Sequence, residues 1–231
     1  MMMSGRLRRF AVQSAVPPSM RRFVFVVLIA LTFGGCTGAD VQLQGEIPTP
    51  LVNRLPLRMG LYLEPALVQY VFEEKIQDHG DWRVEVGPMQ TKLFRQIASA
   101  MFLEAVPVDS VAAGANLDAV LAPSIVEFQI SIPSQTRSEF YEVWIKYMMR
   151  LYDTHGALIA EWPLTAYGKA NRGDFGFMES SDSPAIRQAT MTALRDAGAF
   201  LALRFSTVPE VRAWLNSRTA PSEGARAGGP T

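Results

Sequence analysis

Residues 21–36 read Arg21-Arg22-Phe23-Val24-Phe25-Val26-Val27-Leu28-Ile29-Ala30-Leu31-Thr32-Phe33-Gly34-Gly35-Cys36. Two arginines precede an apolar run broken only by Thr32, and two glycines then lead to the only cysteine in the sequence. A basic start, a short apolar centre and small residues at its end form the layout of a secretory signal with its cleavage site. The run is too short to cross a bilayer, which takes ~20 residues. A buried helix or strand is a poor alternative, because arginines flank one side and a polar, proline-rich stretch the other. The fold is therefore expected to lie entirely after Cys36.

The cysteine directly after Gly34-Gly35 makes this segment resemble the signal peptide and lipobox of bacterial lipoproteins, with Phe33 where that pattern usually has Leu. The resemblance implies that Cys36 becomes the diacylated first residue of the mature chain. It also implies the outer membrane, periplasmic face, because lipoproteins kept at the inner membrane typically carry Asp where Thr37 stands. Two acyl chains give the stable attachment that one alone does not. Residues 1–19, with Gly5-Arg6-Leu7-Arg8-Arg9 and Pro17-Pro18, are either a mis-set start ahead of Met20 or an extended basic leader. On both readings they stay outside the fold.

The balanced charge of the whole sequence comes from this leader. Residues 1–35 hold five arginines and no acid, so the remainder carries 17 basic against 22 acidic groups, a net charge of −5. An acidic body without a basic run has no electrostatic footprint for nucleic acid. With Cys36 acylated no thiol is left, so no disulfide reinforces the core and burial must hold the fold.

The expected division is leader and signal over 1–35, a tether over 36–50, one periplasmic α/β domain over 51–216, and a disordered tail over 217–231 rich in Gly, Ala, Pro and Ser. Within the tether, Val41, Leu43 and Ile47 have the spacing of a short edge strand. Leu55, Leu57, Met59, Leu61 and Leu63 alternate and so share one face of a strand. Leu67, Val68, Val71, Phe72 and Ile76 fit a helix over 66–77, and Trp82, Val84 and Val86 a second strand. Gly87-Pro88 opens a helix with Met89, Leu93, Ile97 and Met101 on its apolar stripe. Residues 119–132 read as a strand in which Pro123 calls for a bulge or an edge. Tyr141, Val143, Ile145, Tyr147, Met149 and Leu151 form one face of the longest strand, and Asp153-Thr154-His155-Gly156 turns it into a partner strand over 157–169. A loop over 171–183, a helix from Pro184 and a short closing helix from Pro209 complete the chain. This order predicts an α/β (α+β) fold, a mixed sheet with a long C-terminal hairpin covered by two or three helices.

Leu117-Asp118-Ala119-Val120-Leu121-Ala122 and the hairpin segment Ile145 to Gly156, followed by the 185–205 helix, resemble the small periplasmic α/β module of the TolB amino-terminal domain and of the lipoproteins LpoB, CsgG and PelC. The likeness spans residues 88–206. It implies a module that docks partners or forms rings and does no catalysis, and it assigns no site.

The residues offer little material for catalysis. Both histidines precede glycine, His79-Gly80 and His155-Gly156, which places them at exposed turns. Neither has the spacing of a zinc site or a triad, so no metal or cofactor is expected. Paired carboxylates can come from distant segments, and Asp174 and Glu179 in the 171–183 loop are the candidates for a hydrolase. The triplet Asp174-Phe175-Gly176 lacks every other kinase element.

Binding has more to work with. Phe140, Trp144, Met148 and Tyr152 share the second face of the long strand with Glu142, Lys146 and Arg150, and Trp162 on the next strand is a candidate to join them. Either this face is open, an aromatic patch rimmed by charge, or the 185–205 helix packs on it. Phe175 and Phe177 are a second candidate contact for a partner or membrane. The expectation is a non-enzymatic, lipid-anchored accessory in envelope assembly or transport, with an envelope protein or its own copies as partner. The alternatives are an auxiliary lipoprotein of a lipid-transporting ABC system, which calls for a groove or an oligomer, and an envelope hydrolase using carboxylates.

Overall fold

The computed structural model describes residues 39–76, 80–112, 116–175 and 182–219. Cys36, His79, Phe177 and Glu179 therefore lie outside the described residues. In chain order the elements are β1 (Asp40–Gln42), β2 (Leu55–Tyr62), α1 (Pro65–Val68), β3 (Val71–Ile76), β4 (Gly80–Glu85), α2 (Gly87–Met101) and β5 (Phe102–Val108). Then come β6 (Ala119–Ser131), α3 (Pro133–Thr136), β7 (Phe140–Tyr152), β8 (Leu158–Asn171), α4 (Asp182–Arg204) and α5 (Pro209–Thr219). The fold is mixed α/β, with two sheets where one was expected: β1-β4-β3 and β5-β2-β6-β7-β8.

Alternation builds the large sheet. Leu57, Met59 and Leu61 of β2 are buried on the same side as Tyr141, Val143, Ile145, Tyr147, Met149 and Leu151 of β7. Helices α2 and α4 close this side. Phe94 of α2 meets Tyr147 edge to face at 5.2 Å, and α4 lies so close to β8 that at position 168 only a glycine fits beneath it. β6 runs parallel to β2 and antiparallel to β7. Pro123 falls beyond the last β2 pair at Leu121, where a missing N–H interrupts no ladder on that side.

Three expectations change. Residues 71–76, read as helix, form β3, paired antiparallel with β4. The apolar spacing suited a helix, but the 80–85 strand supplies a ladder that helix propensity cannot match, and Phe72 and Ile76 go inward beside Trp82 and Val84. The stretch read as a tether is folded from Ala39 onward. Ala39, Val41 and Ile47 are buried, and β1 pairs parallel with β4. Past β1 this strap crosses α2 and α4, whose side chains donate to its carbonyls: Arg187 to Gln42 (3.0 Å), Lys92 to Gly45 (3.4 Å), Arg195 to Glu46 (3.2 Å) and Gln96 to Ile47. At the other end, helix α5 continues to Thr219, past the expected start of the tail at 217. There the Arg218 guanidinium pairs with Asp118, whose other oxygen accepts the Arg58 backbone N–H.

One buried polar chain runs through the core. The Tyr147 hydroxyl donates to Gln90 Oε1 (3.0 Å), and Gln90 Nε2 donates to the Leu67 carbonyl. Both side chains are fully buried, so each link satisfies a group that would otherwise be costly to leave unmade. Burial, with a smaller contribution from Tyr70, pushes the Tyr147 phenol well above its ordinary range.

Candidate functional site

The second face of the hairpin is open. Helix α4 packs on the inward side, where Val143 pairs with Gly168, and not on the Trp144 side as the alternative reading had it. The residues of β7 on the open side are Phe140, Glu142, Trp144, Lys146, Met148, Arg150 and Tyr152, none of them buried. The Trp144 side chain is 43% exposed, which no covering helix would allow. At the β2 margin, the side chains of Leu117, Val120 and Val108 close over Gly60.

The centre of this face is a pair that register creates. Trp144 stands opposite Tyr167, with ring centroids 4.4 Å apart, an arrangement that adds to area burial. The Tyr167 hydroxyl donates to Glu142 Oε1 (2.6 Å). Desolvation, and then the hydrogen bond and charge of Glu142, push the Tyr167 phenol up to about 12. Beside it Lys169 Nζ sits 4.7 Å from the Phe140 ring centroid. At the other end Arg150 Nε pairs with Glu161, and its Nη1 donates to Ser124 Oγ (3.1 Å). A shallow depression of about 140 Å³ between Glu127, Gln129, Trp144, Lys146 and Thr165 adjoins the indole. The charges flanking the aromatics are thus held in place by partners on neighbouring strands.

Trp162 does not join the face. Counted from the Asp153–Ala157 closure of the turn, an unbroken ladder would pair Trp162 with outward Met148. The bulge at Ile159 shifts the pairing, so Trp162 stands opposite inward Met149. It is buried, with its ring 6.1 Å from Phe205. Tyr167 takes its place and was missed for the same reason, since its register depends on that bulge. Phe140, Trp144, Met148 and Tyr152 do share one face as expected. Phe175 is half-buried and packs against the core at the end of the Arg172–Phe175 turn.

Of the candidate catalytic groups, Asp174 and His155 lie among the described residues, and they stand at opposite ends of the β7–β8 hairpin. Asp174 is exposed, and His155 is exposed in its turn, where Asp153 caps the backbone N–H groups of His155 and Ala157. The Ala157 N–H, ahead of that of His155, holds the Asp153 carboxyl below its ordinary range. Among the described residues no three His, Cys, Asp or Glu side chains gather as metal ligands would. A polar pocket of about 90 Å³ lies between Trp82, Ser134, Tyr141, Arg172 and Asp182, where the Tyr141 hydroxyl bonds Asp182.

No family model matches the chain, and no curated protein matches it. Among solved structures, it is similar to a Xanthomonas campestris protein of the family described as DUF330, with 13% identity and a TM-score of 0.48 over 79% of this chain and 98% of that one. A protein described as a neuraminyllactose-binding hemagglutinin homolog from Helicobacter pylori gives 13% identity and a TM-score of 0.45, over 77% and 98% of the two chains. An uncharacterized lipoprotein B from Nitrosomonas europaea gives 17% and 0.39, over 76% and 97%. At these identities and scores, no chemistry and no partner passes from those proteins to this chain.

Proposed function

We propose that this chain is a lipoprotein of the bacterial outer membrane, held by acyl groups on Cys36, whose periplasmic body serves envelope assembly or transport as a non-enzymatic accessory. Residues 1–35 are its leader and signal, and the single periplasmic domain is built from Ala39 to Thr219. The anchor rests on the arginine-flanked apolar run that ends in Gly34-Gly35-Cys36. The role rests on a single observation, the half-exposed Trp144 tilted against Tyr167 in a sheet face that no helix among the described residues covers. Large aromatics ringed by ordered charges are the material of protein interfaces, and the partner is accordingly an envelope protein or a second copy.

Trp144→Ala is expected to abolish co-purification of that partner from membranes while leaving the unfolding free energy of the body in urea within about 1 kcal/mol of the parent, as for an exposed site. A folded Asp174→Asn or Glu179→Gln variant that loses the cellular phenotype, with Trp144→Ala silent, would favour the carboxylate hydrolase instead.

A second reading, the auxiliary lipoprotein of a lipid-transporting ABC system, is favoured by the charge balance of the open face. Glu127, Glu142 and Glu161 are matched by Lys146, Arg150 and Lys169, a self-complementary set of the kind that symmetric assembly uses. Light scattering of the detergent-solubilised lipoprotein tests it: a ring-sized species agrees with both readings, and a monomer that still binds its envelope partner through the open face supports the first against this one.

A further inference from the structure

We infer that the folded body has no free tether and rides in a fixed orientation against the lipid surface, with the three-stranded sheet near the headgroups and the hairpin turn far from them. The inference rests on the acylation of Cys36 proposed above. Between Cys36 and the first strand residue, Asp40, stand only Thr37, Gly38 and Ala39. Four residue steps reach at most about 14 Å, whereas a flexible tether would let a body of this size tumble freely.

The strap is fixed along its length. The Arg83 N–H donates to the Ala39 carbonyl (2.8 Å), Val41 is fully buried, and the side chains of α2 and α4 hold the carbonyls of residues 42–47. Asp40 pairs with Arg83, and the neighbouring Trp82 lines a pocket with Tyr141 and Arg172 at the open end of the β7–β8 hairpin. The strand residues of β7 carry the hairpin ~40 Å from that end to the Asp153–Gly156 turn, at about 3.4 Å per residue. The amino-terminal end of β1 thus lies at the end of the domain opposite that turn. The Trp144 face lies on the side of the sheet away from α4. Protein partners therefore reach the open face without passing the bilayer.

The test uses the full acylated lipoprotein in vesicles of phosphatidylethanolamine and phosphatidylglycerol at three to one. Cys36 is the only native cysteine and is capped by lipid, so Lys75→Cys and His155→Cys each accept one fluorophore. Both positions are exposed. Energy transfer to a headgroup-labelled lipid is expected to be at least twofold greater from position 75 than from position 155. Inserting twelve Gly and Ser residues between Thr37 and Gly38 is expected to erase the difference. Equal transfer from both positions, or a difference that survives the insertion, overturns the orientation while leaving the anchor standing. A chain that does not float with the vesicles overturns both.

Discussion

Gly168 of β8 and Ala189 of α4 meet backbone against backbone. A methyl group on Gly168 would lie 2.0 Å from the Ala189 carbonyl oxygen and 2.4 Å from the Ala193 nitrogen. This contact commits α4 to the inward side of the hairpin and leaves Trp144 uncovered. Neither obstacle is a flexible side chain, so Gly168→Ala must displace the helix. Overpacking of this kind costs typically 1–3 kcal/mol, and rigid backbone obstacles put this variant at about 3 kcal/mol or above. Urea denaturation should show a lower midpoint with an unchanged slope. An unchanged midpoint would mean that α4 is not seated as described.

The buried Tyr147–Gln90–Leu67 chain predicts a non-additive pair. Gln90→Met leaves the Tyr147 hydroxyl without its acceptor and the Leu67 carbonyl without its donor, at about 1–3 kcal/mol for an unmet buried group. Adding Tyr147→Phe removes the stranded hydroxyl. The double variant is therefore expected to be more stable than the sum of the single changes by about 1 kcal/mol. Strict additivity in a double-mutant cycle would rule the coupling out.

Alkaline pH should weaken the fold in a defined window. The phenols of Tyr147 and Tyr70 are pushed up chiefly by burial, and that of Tyr167 to about 12. An unfolded tyrosine loses its proton near pH 10. The raised folded values mean that the stability is fully present below that pH and is lost as pH rises from about 10 toward 12. Urea midpoints measured from pH 8 to 12 should fall over this range, and Tyr147→Phe should flatten the fall. An equal slope in the variant would contradict the assignment.

The outer edge of β8 is guarded at two points. The Tyr167 N–H on that edge donates to the Asp196 carboxylate of α4 (3.0 Å), and Pro163, four residues earlier and so on the same edge, has no N–H to offer. Exposed edges invite a further strand, and proline or a capping group blunts them. Pro163→Val with Asp196→Ala is expected to shift the soluble body toward larger species in size-exclusion chromatography with light scattering as concentration rises. A profile identical to the parent would show that the edge needs no guard.

What was legible in the residues was local. The alternation of Leu57, Met59 and Leu61, the stripe of α2 and the face shared by Phe140, Trp144, Met148 and Tyr152 come from period alone, and all are observed. What was not legible depends on partners distant in sequence. Val71 to Ile76 becomes a strand because β4 pairs with it, and Arg83 then meets Glu73 (3.3 Å) and Asp40 (3.7 Å) across two ladders. The strap is fixed by Arg187 and Arg195, some 145 residues downstream of the carbonyls they hold. The Trp144–Tyr167 pair needs the bulge at Ile159, one residue whose insertion turns Trp162 inward and brings Tyr167 into place.

The most direct test of the whole account is on the sulfur of Cys36. Native cells grown with labelled palmitate are expected to incorporate label into the mature chain, with the amino-terminal peptide beginning at an acylated Cys36, and Cys36→Ala should release a folded, unlabelled body into the periplasm. A mature chain without label, or a Cys36→Ala variant that stays in the membrane fraction, would contradict it.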